Sequence, residues 1–89
     1  MTLTIWKYNL GLTTNIQPFD IPIGAKFCYS GPDPDDNLPA LWFLVDLDAK
    51  TEQRVFQVYA TGQQIADQQL YLGSARQGAF MWHVFEVLP

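Results

Sequence analysis

The stretch that decides the fold is LWFLVDLD, residues 41–48. Its first five residues are all apolar, which is the pattern of a strand buried on both faces. A strand of that kind lies in the centre of a sheet, where it has hydrogen-bonded neighbours along both edges. We therefore expect residues 41–48 to form the central strand of a β-rich domain.

Five other segments combine β-branched and aromatic residues with alternating polarity, and turn residues separate them. The spacing between residues 41–48 and the next strand favours a hairpin, and Pro18 and Pro22 restrict the segment around them to a sheet edge or an extended loop. The remaining strands are LTIWKYNL (3–10), AKFCYS (25–30), RVFQVYAT (54–61), LYLGSA (70–75) and AFMWHVFEV (79–87).

No segment has the apolar periodicity of an amphipathic helix. The sequence therefore predicts a single all-β domain over residues 1–89. We expect about six short, mainly antiparallel strands arranged as a small sandwich or a partly open barrel.

Composition excludes several classes of protein. The net charge is −4, and the five basic residues are scattered, so direct binding to nucleic-acid phosphates is disfavoured. No apolar run approaches the ~18 residues that a membrane span needs. A lone cysteine, Cys28, cannot form a disulfide within the chain and fits a reducing compartment. We expect a cytoplasmic protein.

Reactive chemistry is sparse along the chain. His83 is the only histidine, and Cys28 and Asp46 on other predicted strands could be drawn beside it as a catalytic set. A strand histidine that is hydrogen-bonded at a sheet face is the simpler interpretation. One histidine and one cysteine cannot complete a zinc site. Residues 31–39 lack a glycine at the position that a calcium loop requires, and they lack its distal glutamate. We expect no enzyme activity, no catalytic or metal-binding residues and no cofactor.

The candidate interaction residues lie in loops and among the aromatics. GPDPDDNLP, residues 31–39, is either a solvated connection or an acidic contact loop with nothing that packs a core. Trp6, Trp42 and Trp82 either form a core cluster or leave one ring at the rim as an anchor. We select as a candidate surface Asp33, Asp35, Asp36, Trp42, Gln63, Gln64 and Arg76.

Five motifs together resemble a family of small uncharacterised proteins that occur in bacteriophages, prophages and bacterial genomes. The acidic loop 31–39 is longer here than in that family. The motifs are I-W-K-Y (5–8), P-x-G-A (22–25), L-W-x-L-V-D (41–46), T-G-x-x-I (61–65) and F-x-W-H-x-F-E-V (80–87).

The resemblance implies a setting and assigns no reaction. Small phage accessory proteins commonly act by binding, so we expect a protein that engages a host protein or complex, with inhibition of a host antiviral defence system as one form of that activity. Two alternatives stay open, namely a small-ligand binder or sponge for signalling nucleotides, and a structural or virion-associated module. Two strands with apolar faces also favour a homodimer.

Overall fold

A computed structural model describes residues 1–89 and contains seven β-strands and no α-helix. The all-β fold class is therefore confirmed, with one strand more than the sequence predicted. The structure contains no helix that is long and apolar enough to cross a bilayer. The strands are β1 (Leu3–Asn9), β2 (Gln17–Pro22), β3 (Lys26–Pro32), β4 (Pro39–Asp46), β5 (Thr51–Ala60), β6 (Gln69–Gln77) and β7 (Phe80–Val87).

The strands form two antiparallel sheets that pack face to face as a small sandwich. A three-stranded sheet has the order β1-β4-β3, and a four-stranded sheet has the order β2-β5-β7-β6. β4 is paired along both edges, as its apolar sequence predicts. β2, which contains Pro18 and Pro22, is an edge strand, because a proline cannot donate a hydrogen bond to a second neighbour.

The predicted hairpin between residues 41–48 and the next predicted strand, residues 54–61, is wrong. β4 and β5 follow each other in the chain but belong to different sheets. β1 and β3 occupy both edges of β4, while β2 and β7 occupy both edges of β5. No edge is left for the two strands to pair, so the connection between them crosses from one sheet to the other.

The core lies between the sheets and is built from alternate residues of the central strands. Leu41, Phe43 and Val45 of β4 are fully buried, and they face Phe56 and other apolar residues of the four-stranded sheet. The rings of Phe43 and Phe56 lie 6.0 Å apart, centroid to centroid. Truncating a buried phenylalanine typically costs about 3–5 kcal/mol of unfolding free energy, so these rings are a large share of the stability of a small domain.

The three tryptophans do not form a core cluster. Trp82 packs against the core and stacks on Phe80. Trp6 is 44% exposed at an edge strand, and Trp42 is half-buried on the other side of the three-stranded sheet, against Tyr29. The strands that carry them bring the rings to three different environments.

A partly buried ion pair links two adjacent strands of the four-stranded sheet, β5 and β7, and its guanidinium also contacts Phe43 of the other sheet. The Arg54 guanidinium donates two hydrogen bonds of 2.7 Å to the Glu86 carboxylate and a third to the carbonyl oxygen of Ala25. The same guanidinium lies 4.8 Å from the centroid of the Phe43 ring. The pKa of Arg54 is raised, mainly by the hydrogen bond to Glu86. Although Glu86 is one residue from the end of β7, it is only 8% exposed.

The sheets also meet where β6 approaches β3. A bulge in β6 leaves Leu72 unpaired, and the next residue is Gly73. A Cβ atom at Gly73 would lie only 2.8 Å from the Cβ of Ser30. Glycine suits this position because a Cβ atom would clash with the Ser30 side chain and because the φ of +155° is one that other residues rarely adopt.

We predict that Glu86→Gln lowers the free energy of unfolding by about 2 kcal/mol, because it weakens the charge-assisted hydrogen bonds to the partly buried Arg54 guanidinium. Urea unfolding measures the loss. The matched control is Glu52→Gln at an exposed site, which should change stability by less than about 0.5 kcal/mol. A loss at Glu86 as small as that of the control would show that the ion pair contributes nothing.

Candidate functional site

An apolar face of the three-stranded sheet is turned away from the core. Side chains alternate along β4, so while Phe43 is buried, Trp42 and Leu44 point to the other side. The strand register places apolar neighbours beside them. We call this surface the Trp42 face, and it comprises Leu3, Ile5, Tyr29, Trp42 and Leu44.

The Trp42 face is uncovered. Leu3, Ile5 and Tyr29 are 53%, 50% and 57% exposed, although the outer face of an antiparallel sheet is ordinarily polar. β4 is therefore central by hydrogen bonding, yet only one of its faces is covered by a second layer. The expectation that residues 41–48 are buried on both faces is wrong for the isolated chain.

The outer face of the four-stranded sheet is treated differently. Loop 61–68 folds over it and brings Ile65 to the same cavity as Tyr71 and Phe85. Tyr59 on this face is only 5% exposed, and its hydroxyl lies 2.9 Å from the amide oxygens of both Gln57 and Gln69. The chain therefore covers part of this outer face, although Tyr71 stays 54% exposed, and it leaves the Trp42 face bare.

A shallow groove lies at the edge of the Trp42 face. It has a volume of about 300 Å³. Its apolar walls are contributed by β1, β4 and the turn after β2, and its polar groups are Lys26 and Asp46. The lining residues are Met1, Leu3, Ile23, Gly24, Lys26, Leu44 and Asp46.

Carboxylates stand at both ends of the Trp42 face. At one end the pKa of Asp46 is lowered, because its carboxylate accepts hydrogen bonds from the backbone N–H groups of Asp48 and Thr2. At the other end the exposed Asp35 and Asp36 interact electrostatically with Lys7, and Lys7 is directly opposite Trp42 in the strand register. The face is thus an apolar stripe with carboxylates at both ends, and Lys7 and Lys26 lie opposite Trp42 and Leu44 in the strand register.

Asp33 is not one of those carboxylates, and its selection as a surface residue is wrong. It is only 2% exposed, and its carboxylate accepts hydrogen bonds from the Lys7 ammonium at 2.7 Å, the Asn9 amide and the Asp35 backbone N–H. These bonds lower the pKa of Asp33 to about 2, with Lys7 the largest cause. Asp33 organises the β3–β4 loop and ties it to β1.

The loop itself is shorter than its composition indicated. Gly31 and Pro32 belong to β3 and Pro39 belongs to β4, and Pro39 is fully buried. The statement that nothing in residues 31–39 packs a core is therefore wrong. Only the central residues of the stretch form the turn.

The other candidate residues lie on the four-stranded sheet, so the selected surface divides into two. The amide oxygen of Gln63 accepts a hydrogen bond from the Ala60 backbone N–H, and Gln64 is exposed in loop 61–68. Arg76, also exposed, donates to the carbonyl oxygen of Gly78. These residues sit with loop 61–68 and the β6–β7 hairpin, and Trp42 lies on the other sheet.

His83 is hydrogen-bonded at a sheet face, which confirms that interpretation of the sequence. Its Nε2 lies 2.8 Å from Thr61 Oγ1, and its Nδ1 lies 2.7 Å from Ser74 Oγ. Cys28 and Asp46 are both on the other sheet, and neither is hydrogen-bonded to the imidazole. No group of three or more His, Cys, Asp or Glu side chains is arranged to hold a metal ion.

Fold and surface together define a small β-sandwich with one bare apolar face. The chain belongs to the family described as a domain of unknown function (DUF7352), whose model matches residues 1–89. This agrees with the resemblance to an uncharacterised family. No curated protein and no solved structure matches the chain.

We predict that Asp33→Asn reduces the dependence of stability on pH. The pKa of Asp33 is lowered from 3.8 to about 2 in the folded chain, so its ionised form stabilises the fold. That contribution is complete above about pH 5 and is lost as the pH falls towards 2. The melting temperatures of wild type and variant should therefore differ most above pH 5 and converge near pH 2.

Thermal unfolding across this pH range measures the effect, and Asp35→Asn is the matched control. The Asp35 side chain is exposed in the same loop, so this variant should keep the wild-type pH profile. A constant difference between wild type and Asp33→Asn at every pH would contradict the assignment.

Proposed function

We propose that this protein is a binding module that engages a second macromolecule through the Trp42 face. The observation that carries the proposal is the contiguous set of apolar side chains left bare on the outer face of the three-stranded sheet, over which no loop of the chain folds. Contiguous exposed apolar surface commonly marks an interaction site. The chain measures 41 × 31 × 16 Å along its principal axes, so one broad face accommodates an interface of about 800 Å² per partner.

The chemistry of the face indicates the chemistry of the partner. Trp42 and Tyr29 have their ring centroids 5.5 Å apart and supply a rigid aromatic anchor of the kind that dominates interface energetics. Carboxylates flank this anchor at both ends. The complementary partner is a protein surface with an apolar centre and basic groups on its rim.

A second copy of the chain is a poorer fit to the Trp42 face. Asp35 and Asp36 stand at one end and Asp46 and Asp48 at the other, so a facing copy sets carboxylates opposite carboxylates in either orientation along the strands. Like charges in such positions oppose association. A homodimer, as the sequence favours, would have β1 as an available edge strand, and sedimentation at high concentration tests it.

The finer proposal concerns the setting. The motifs that resemble phage and prophage proteins support a role as an accessory protein in the host cytoplasm, where the partner is a host protein or complex. Inhibition of an antiviral defence system is the form of this activity that we favour. If so, expression of the wild-type chain in a host that carries the target system should restore plating of a phage which that system blocks.

We predict that Ile5→Lys and Tyr29→Lys abolish partner binding without unfolding the domain. Both side chains are at least half exposed, and the new cations replace apolar contact with a desolvation cost and repel a basic rim. The measurement is affinity capture from host lysate, followed by reconstitution of the retained protein with the purified chain. Binding should also weaken as salt increases, because rim charges are screened.

The matched control is Leu70→Lys, an exposed leucine on the other sheet (51% exposed), and it should bind as wild type does. A partner whose affinity is the same for wild type, Ile5→Lys and Tyr29→Lys would place the interface elsewhere. Recovery of the protein in purified virions would favour the structural-module alternative.

A further inference from the structure

Loop 61–68 and the four-stranded sheet enclose a second candidate site, on the opposite side of the molecule from the Trp42 face. It is a cavity of about 230 Å³. No Asp, Glu, Lys or Arg lines it, so it does not select for a charged group. Its lining residues are Ala60, Thr61, Gly62, Gln63, Ile65, Tyr71, His83 and Phe85.

Three polar residues of the cavity belong to one hydrogen-bonded relay, which Ser74 completes. Thr61 Oγ1 lies 2.8 Å from His83 Nε2, His83 Nδ1 lies 2.7 Å from Ser74 Oγ, and Ser74 Oγ lies 2.7 Å from the Tyr71 hydroxyl. The two ends of the relay, Thr61 and Tyr71, both line the cavity, and the Gln63 amide lines it beside them. Residues at both ends of the relay are therefore accessible to a ligand in the cavity.

The two ends of the relay present one free hydrogen-bond donor and one acceptor. A change of the His83 tautomer exchanges which end donates. A neutral imidazole has one N–H donor and one acceptor nitrogen. When Nε2–H donates to Thr61, Ser74 donates to Nδ1 and Tyr71 donates to Ser74, so the Thr61 hydroxyl is free to donate and the Tyr71 oxygen to accept. In the other tautomer every bond reverses, and Tyr71 becomes the free donor.

The walls define the rest of the ligand. The rings of Tyr71 and Phe85 lie 5.3 Å apart at 56°, and Ile65 and Tyr71 are 41% and 54% exposed at the cavity. Exposed aromatic and aliphatic walls suit a flat ring. Sites for drug-sized ligands measure roughly 300–1,000 Å³, so this smaller cavity holds one ring system, and any attached sugar or phosphate stays outside.

We propose that this cavity binds a neutral, planar heteroaromatic ring with a donor and an acceptor on one edge, the chemistry of a nucleobase. The proposal does not depend on the Trp42 face, and it gives the small-ligand alternative a definite location. The shift of protons along the relay lets one site match either order of donor and acceptor on the ring.

The test is an NMR titration of the full chain with adenosine, guanosine, cytidine and uridine, with toluene as an apolar ring that lacks hydrogen-bonding groups. At least one nucleoside should shift the backbone amide signals of Gly62 and Gln63 and the ring signals of His83. For a ligand of this size we expect a Kd of roughly 0.1–1 mM. Toluene should bind more weakly.

The variants Thr61→Val and Tyr71→Phe each remove one end of the relay and should weaken nucleoside binding about 3- to 10-fold. Tyr71→Phe should fold as wild type does, because the hydroxyl that it removes belongs to an exposed side chain. Thr51→Val, at an exposed position outside the cavity, should bind as wild type does. The proposal is overturned if no nucleoside shifts these signals, if toluene binds as tightly, or if both relay variants bind unchanged.

Discussion

One constraint governs this structure: β4 has hydrogen-bonded neighbours on both edges and apolar side chains on both faces, but the chain supplies a covering layer for only one face. The inner face, with Leu41, Phe43 and Val45, is fully buried by the four-stranded sheet. The outer face carries Trp42 and Leu44 without a second layer. Residues 1–89 form two sheets and supply no third layer over this outer face.

Both sheets have apolar side chains on their outer faces, but the surroundings of the two faces differ. The four-stranded sheet also has aromatic residues on its outer face, and loop 61–68 covers part of that face. A cavity remains beside the loop, and His83 links the hydroxyl groups of Thr61, Ser74 and Tyr71 there. Under the two proposals above, the bare face binds a broad macromolecular surface and the cavity on the other face binds a single ring.

Local sequence patterns predicted the strands of this fold, but they did not predict which strands pair with one another. The apolar run at 41–45 identified a central strand, and Pro18 and Pro22 identified an edge, because each depends on the residue's own geometry. The sheet that a strand joins depends on distant neighbours. The sequence could not show that β4 and β5 separate, since that follows from which strands occupy their edges.

The candidate site, like the fold, was predicted only in part from the sequence. Asp35, Asp36 and Trp42 belong to one surface, and their exposure or aromatic character was visible in the sequence. Asp33 has the same side chain as its neighbours in the loop and a different environment, because Lys7 and Asn9 of a remote strand enclose it. Glu86 is likewise buried because Arg54, which is 32 residues away in the sequence, lies beside it. Buried charges of this kind are recognised only through their partners.

The order in which the chain visits the two sheets has a consequence for how the domain assembles. β1 lies in the three-stranded sheet, β2 in the four-stranded sheet, β3 and β4 in the first again, and β5, β6 and β7 in the second. β1 pairs with β4, and β2 pairs with β5, so each sheet closes only after a long intervening segment has been ordered. Closing loops of that length slows folding, because the entropy cost of closure precedes the stabilising long-range contacts. Neither sheet is a contiguous piece of chain, and the nascent protein can complete its interior only after β7, with its Trp82, Val84 and Glu86, has been synthesised.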